Sequence, residues 1–243
     1  MLEALKRWLS ASRSAETPNQ ALLRDWADRR GLQARTVRGE SGVVVDGPAG
    51  AAAWRLEWGP AQRSYIDGFE LRLRADLGFG TELQALVMNR RLQEAMERAV
   101  FDQYVEGVQT RIDDNTPPEM RWLVMFPKLT GSELGALREG YAAVGNHKSW
   151  LVQWLDGPLS TALATQARAA EQPLVLMVGR GRIVLRTQLD QPDGERVNAW
   201  LRLFETAMRE AGRVHSVAAA ASRPPADEPV SALESVSAAD PTA

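Results

Sequence analysis

The clearest pattern of apolar and polar positions lies near the carboxyl end, in residues 173–212. Residues 174–178 form an unbroken apolar run of Leu, Val and Met, which is typical of a strand buried on both faces. After a Gly-Arg-Gly turn, inward and outward side chains alternate through residues 183–187, so we expect a second strand with one buried face. Apolar residues then recur every three or four positions over residues 197–208, which predicts a helix that ends at Gly212 and lies across the hairpin.

A second group of strands is predicted in residues 32–76. Four short segments have the composition or the alternation of strands, at residues 34–38, 43–45, 54–58 and 69–74. Turn residues separate them, above all Asp-Gly and Gly-Pro pairs. This arrangement predicts an antiparallel meander with one apolar face and one charged face.

The helical spacing of apolar residues predicts the elements around these strands. It predicts four helices, at about residues 19–30, 81–111, 130–144 and 147–170. Only a Gly-Asn pair separates the last two, so we expect an antiparallel helical hairpin there. Residues 120–126 fit a strand or a helix equally well, because the apolar run is short. Residues 2–10 are predicted to be an amphipathic segment that docks on the body, with a membrane-surface role as the alternative.

These elements predict an α+β fold, in which an antiparallel sheet, made of the meander and the carboxyl-terminal hairpin, packs against several helices. Residues 1–213 are expected to form a single domain with a helical block at about 81–170. Residues 214–243 are rich in Ala, Ser and Pro and carry several acidic side chains. A segment of that composition cannot bury enough apolar surface to order itself, so we expect a disordered acidic tail.

The composition excludes several classes of chemistry. The chain of 243 residues contains no Cys and only two His. Disulfides, thiol catalysis and most zinc sites are therefore excluded, and few candidates are left for a His-dependent mechanism. No apolar run reaches the ~20 residues of a membrane span, and the first residues lack the pattern of a signal peptide. We therefore expect a cytoplasmic protein without a membrane span.

Three short motifs allow a chemical role, and each has a simpler structural interpretation. His147, Lys148 and Asp156 are the best candidates for an acid–base pair, but His147 falls at a predicted helix start. Oxygen ligands for Mg²⁺ or Ca²⁺ could come from Asp113, Asp114, Asn115 and Glu119, but the spacing of a calcium loop is absent, which favours turn and cap roles. A strand follows residues 179–181, which favours a hairpin turn over a phosphate loop. We therefore expect no metal and no cofactor, and we rank an enzyme below a binding protein.

Three of the eight tryptophans, Trp122, Trp150 and Trp154, lie in the middle of the chain. Tryptophan is enriched at the energetic centres of interfaces, so these rings could line a groove for a partner peptide or helix. The alternative is that they pack in the core. The leading hypothesis is a non-enzymatic protein-interaction module, chaperone- or adaptor-like, whose partner is another protein. The oligomeric state stays open.

Four arginines, Arg72, Arg74, Arg182 and Arg186, fall on the predicted outward faces of strands. If both groups of strands share one sheet, these side chains could form a basic patch for an anion. A regulatory domain that binds an anionic small molecule is therefore the second hypothesis. The alternative is a solvated face on which the arginines pair with glutamates of neighbouring strands. Nucleic acid is not an expected ligand, because the body of the chain is close to neutral.

The order of the predicted elements, namely helix, strands, helix, two strands and helix, resembles that of small secretion chaperones, which bind segments of effector proteins. The resemblance covers element order alone, and this chain is longer, with an extra helical block at roughly residues 81–170. It implies a protein partner and agrees with the interaction hypothesis.

Overall fold

The computed structural model of the protein describes residues 16–37, 41–50, 53–105, 116–166 and 172–221. Its strands are β1 (Ala34–Thr36), β2 (Val43–Asp46), β3 (Arg55–Pro60), β4 (Phe69–Asp76), β5 (Ala85–Asn89), β6 (Tyr141–Gly145), β7 (Leu174–Gly179) and β8 (Arg182–Gln188). All eight form one sheet in the order β1-β2-β3-β4-β8-β7-β5-β6, and every neighbouring pair is antiparallel. The predicted union of meander and carboxyl-terminal hairpin is confirmed, with β4 beside β8.

The described residues contain seven α-helices. They are α1 (Pro18–Arg29), α2 (Arg90–Val105), α3 (Pro118–Met125), α4 (Gly131–Leu134), α5 (Lys148–Leu155), α6 (Pro158–Thr165) and α7 (Gly194–Ala221), and a short 3-10 turn, Gly135–Leu137, follows α4. The predicted α+β class is therefore confirmed. None of these helices is long and apolar enough to cross a membrane.

The sheet carries helices on both faces. On the first face, α1, α5, α6 and α7 enclose the larger core, to which the central strands contribute residues such as Leu56, Leu73 and Leu176. On the second face, α2 and α3 cover β5, β6 and β7 and enclose a smaller core around Met88 and Val175. The second face of β3, β4 and β8 is charged instead, so α3 lies next to the boundary between an apolar and a charged half of one sheet face.

The β7–β8 hairpin follows the sequence prediction closely. Leu174, Val175 and Leu176 are fully buried, as expected for a strand covered on both faces. Arg180 and Gly181 form the two-residue loop with φ of 54° and 73°, and two positive φ angles in succession suit the right-handed twist of a hairpin. The interpretation of this segment as a turn and not a phosphate loop is confirmed.

Two strands occupy places where helices were predicted. The helix expected from residue 81 begins at Arg90, and β5 precedes it; the helix expected to reach residue 144 ends after one turn, and β6 follows. All five residues of β5 and all five of β6 are buried. Ala85 and Val87 face the larger core while Leu86 and Met88 face the smaller one, so polar positions do not alternate with apolar ones. Because β6 separates α4 from α5, the predicted helical hairpin is wrong.

The last helix is longer than predicted. α7 continues through Gly212 to Ala221, Val214 is fully buried, and the ring of His215 stacks on Phe79 at a centroid distance of 4.0 Å. The helix end predicted at Gly212 is therefore wrong, since residues 213–221 also belong to the helix. The rest of the predicted tail, residues 222–243, lies outside the described residues, as does the predicted amphipathic segment at residues 2–10.

Candidate functional site

The helix α3 is short, and its sequence explains where it begins and ends. Pro118 occupies the first helical position, where a missing N–H costs nothing, and no side chain caps the helix start. Phe126 leaves the helix in an extended conformation, and Pro127 follows. A helix of eight residues is marginal by itself, so tertiary contacts must hold α3 in place.

The inner side of α3 makes two kinds of contact. Leu123 is 5% exposed and packs in the smaller core. One turn earlier, Glu119 is fully buried at the charged half of the sheet face. The sequence interpretation of Glu119 as a turn or cap residue is therefore wrong, because its carboxylate points into the protein.

The carboxylate of Glu119 is held by groups from two other parts of the chain. Arg63 Nε and the Tyr65 hydroxyl donate hydrogen bonds to Glu119 Oε1 at 3.1 and 3.0 Å. Arg186 Nε of β8 lies 3.8 Å from the same oxygen. Burial, reinforced by the negative charge of Glu119, raises the pKa of Tyr65 well above its usual range, so the hydroxyl remains a donor. The other oxygen, Oε2, is buried without a hydrogen-bond donor among the described residues.

A second buried carboxylate, Glu70 of β4, completes this network. Arg186 Nη1 donates to Glu70 Oε1, and the backbone N–H of Gln62 donates to Glu70 Oε2 at 2.9 Å. We refer to Arg63, Tyr65, Glu70, Glu119 and Arg186 as the buried ion cluster. Its two carboxylates are matched by two guanidinium groups, so the cluster joins α3, β4, β8 and the loop after β3 without a net charge.

The outer side of α3 exposes apolar side chains. Val124 and Met125 are 51% and 65% exposed. Trp122 and Phe126 are partly exposed beside them, with ring centroids 6.0 Å apart. Gly179 of β7 provides the space for the Trp122 ring, because a Cβ at that position would lie 2.5 Å from its outer edge. We refer to Trp122, Val124, Met125 and Phe126 as the α3 surface.

Only one of the three predicted tryptophans lies on this surface. Trp150 and Trp154 are 7% and 0% exposed, and both belong to the larger core. Their ring centroids are 5.1 Å apart, and Trp154 Nε1 donates to the backbone oxygen of Ala207 in α7 at 3.0 Å. The structure thus places Trp150 and Trp154 inside the protein, where Trp154 joins α5 to α7, and leaves only Trp122 of the three partly exposed.

The four arginines predicted to face outward all have carboxylate partners. Arg186 is buried in the ion cluster, so its expected position on a solvated face is wrong. Arg72 and Arg74 share Glu57, the latter at 2.9 Å, and Arg182 pairs with Asp76 at 2.8 Å. This is the cross-strand pairing that was the alternative to an anion site.

The candidate acid–base residues are not brought together. Lys148 pairs with Glu133 at 2.9 Å, and His147 and Asp156 are exposed at opposite ends of α5. In the described part of the chain, no group of three or more His, Asp or Glu is placed to hold a metal ion. Asp113, Asp114 and Asn115, also considered as oxygen ligands, lie outside the described residues.

Sequence reasoning missed most of the α3 surface and the buried ion cluster. The surface was missed because residues 120–126 could not be assigned to a helix or a strand. In a strand, Val124 and Met125 would point to opposite faces, so they would not be expected to share a surface. The cluster was missed because its contacts join residues 54 to 116 positions apart, such as Tyr65 with Glu119 and Glu70 with Arg186. A pattern read along the chain contains no signal for such pairs.

No family model, curated protein or solved structure matches this chain. The resemblance of its predicted element order to that of secretion chaperones therefore stays a prediction.

Proposed function

We propose that this is a non-enzymatic, cytoplasmic protein-interaction module, and that the α3 surface binds an apolar, amphipathic segment of another protein. The observation that carries the proposal is the adjacent exposure of Val124 and Met125, at 51% and 65%, beside the partly exposed ring of Trp122. Exposed apolar side chains that occur together on one short helix, unlike those scattered singly, are a feature of partner-binding sites.

The residue types of the surface also suit a protein partner. Tryptophan is among the residues most enriched at interface hot spots, and methionine adapts its shape to a partner's side chains. The contacts of Glu119 in the buried ion cluster hold α3 in one position. Because the helix is already ordered, binding a partner should cost less conformational entropy.

A helix is a better candidate than a strand for the bound segment. The outer edge of β6 is already occupied, because Leu129 N donates to the backbone oxygen of Ala143 at 2.9 Å and Lys128 forms a bridge with Val144. A partner at this end therefore meets side chains and not a free strand edge. Side-chain recognition by a helix face uses apolar anchors at spacings of three and four residues.

The experiment compares Met125→Glu with a matched control, Val217→Glu, which changes another exposed apolar residue on α7, 55% exposed. Peptides are selected from a displayed library of amphipathic helices on the unmodified protein, and their affinities are then measured by calorimetry. We expect Met125→Glu to abolish binding and Val217→Glu to leave it unchanged, with equal melting curves. Trp122→Ala should weaken binding by about 2 kcal/mol or more, the usual scale of a hot spot.

Two outcomes would contradict the proposal. Selected peptides that bind Met125→Glu as tightly as the unmodified protein would place the interaction elsewhere. Sedimentation showing a dimer that Met125→Glu converts to a monomer would make a second copy of the chain the occupant of the α3 surface, in place of another protein.

A further inference from the structure

A concavity with an excess of positive charge lies on the other side of the sheet, where the end of α1 meets the start of α7. It is open to solvent, has a volume of about 520 Å³, and is lined by three arginines, Arg29, Arg30 and Arg202. Glu195 is the one carboxylate among its lining residues. The concavity therefore has a local excess of positive charge in a chain whose overall formal charge is −2.

The arginines of this concavity differ from those on the charged half of the sheet. Within the described residues, Arg29 and Arg202 have neither an ion pair nor a hydrogen-bond acceptor. A second open groove, of about 550 Å³ at the end of β3, β4 and β8, also contains three arginines, and each of them pairs with a carboxylate. Those pairs are Arg55 with Asp46 at 2.6 Å, Arg74 with Glu57 at 2.9 Å and Arg182 with Asp76 at 2.8 Å.

The neighbouring polar groups also present donors to the concavity. Asn198 Oδ1 accepts hydrogen bonds from Trp26 Nε1 at 2.8 Å and from Arg30 Nη2 at 2.7 Å. The amide nitrogen of Asn198 is therefore left as a donor, and none of the described residues accepts from it. The guanidinium of Arg30 lies 5.2 Å above the Trp26 ring, which fixes its position.

The position of the arginines is electrostatically unusual. Gly194 begins α7, and a Cβ on Gly194 would lie 3.7 Å from Arg29 Nη2, so this guanidinium is close to the helix start. The start of a helix favours anions, and cations are normally favoured at the opposite end. Arg29 therefore lies at the end of a 28-residue helix that disfavours cations, and it shares the concavity with two more guanidinium groups. A bound anion would reduce the repulsion among these three positive charges.

We propose that this concavity binds the phosphate group of a small phosphorylated ligand. Guanidinium groups donate pairs of parallel hydrogen bonds that match phosphate oxygens, and Asn198 adds a neutral donor. Arg30 covers the Trp26 ring, so that ring is not free to stack on a nucleic-acid base. The site is separate from the α3 surface, and it does not depend on the proposed function.

The test uses pyrophosphate as the probe and the indole N–H signals of the eight tryptophans as the readout in nitrogen-15 NMR spectra. Trp26 donates to Asn198, so its indole signal should shift on titration while the signals of the other rings stay in place. The affinity should fall as salt is added, because the site is exposed to solvent. Replacing pyrophosphate with a sugar phosphate distinguishes recognition of the phosphate group alone from recognition of an ester.

Two double variants separate a local site from a general effect of charge. Arg29→Ala with Arg202→Ala removes two arginines that lack partners, whereas Arg74→Ala with Arg182→Ala removes two that are paired, and both lower the net charge equally. We expect the first variant to bind pyrophosphate at least about tenfold more weakly, by the usual strength of charge-assisted hydrogen bonds, and the second to bind normally. An unmoved Trp26 signal, or equal weakening in both variants with unchanged melting curves, would overturn the proposal.

Discussion

The carboxylate of Glu119 has no access to solvent, so its free energy depends entirely on the groups around it. Arg63, Tyr65 and Arg186 replace water, and each comes from a segment distant in sequence. A buried charge that loses its partner cannot be rehydrated without disrupting the packing, so removing one member of such a pair costs much more than an exposed pair contributes.

The first prediction compares two arginines of the same strand. Arg186→Ala should lower the free energy of unfolding by about 3–5 kcal/mol, because Glu70 would keep a buried charge without its guanidinium partner and Glu119 would keep only Arg63. Arg182→Ala removes an exposed pair whose side chains are 62% and 80% accessible, and it should cost less than about 1 kcal/mol. Urea titration measures both values, and similar costs would mean that the buried ion cluster does not form.

At the scale of elements, α7 contains a glycine where a helix end was expected. Gly212 lies within the helix, and no atom outside the helix backbone would come within 4 Å of an added Cβ. Glycine in the middle of a helix costs roughly 0.5–1 kcal/mol relative to alanine, since its unfolded backbone is more flexible.

Gly212→Ala should therefore stabilise the protein by roughly 0.5–1 kcal/mol, which corresponds to a rise of about 1–4 °C in Tm for a chain of this size. The matched control is Gly181→Ala in the hairpin turn. There φ is 73° and an added Cβ would lie 2.9 Å from the backbone oxygen of Phe79, so a loss of stability is expected. If Gly212→Ala lowers Tm in differential scanning calorimetry, then α7 ends near residue 212 in solution.

The elements that the sequence predicted correctly are those whose pattern is local. In the β7–β8 hairpin and the body of α7, the spacing of apolar residues is visible within about forty residues of sequence, and turn residues mark where each element ends. β5 and β6 were missed because a strand buried on both faces has no polar alternation, and Leu86 and Val87 also fit a helical stripe. Of the residues in the proposed sites, the sequence predicted only Trp122. Whether a side chain is exposed or paired depends on which distant parts of the chain cover it, and a local pattern does not contain that information.

At the scale of the whole molecule, the last helix closes the larger core. Val214 is fully buried in that core, and His215 stacks on Phe79 in the connection between β4 and β5. Val214 and His215, which follow the predicted boundary at 213, therefore contribute to the stability of the body. The sequence becomes richer in Ala, Ser and Pro only after these two residues.

Two truncated chains test this boundary. A chain that ends at Arg213 loses Val214 and the stacking of His215, and its Tm should fall by several degrees, since about 1 kcal/mol corresponds to about 2–4 °C. A chain that ends at Ala221 keeps both contacts, and its Tm should equal that of the full chain. Equal melting of the two truncated chains would show that the last two turns of α7 do not stabilise the fold.

The pairing of β4 with β8 also determines when the protein can fold during its synthesis. Glu70 and Arg186 are diagonal neighbours across these strands, since Gln188 lies opposite Glu70 and Arg186 lies opposite Arg72. They form an ion pair, yet 116 positions separate them along the chain. Ribosomes add about 5–20 residues per second, so the amino-terminal meander waits on the order of ten seconds for the strand that covers its open edge. During that interval β4 has unpaired backbone groups, and the apolar face of the meander lacks α7. A nascent chain halted between β4 and β8 would therefore be the form of this protein most dependent on chaperones.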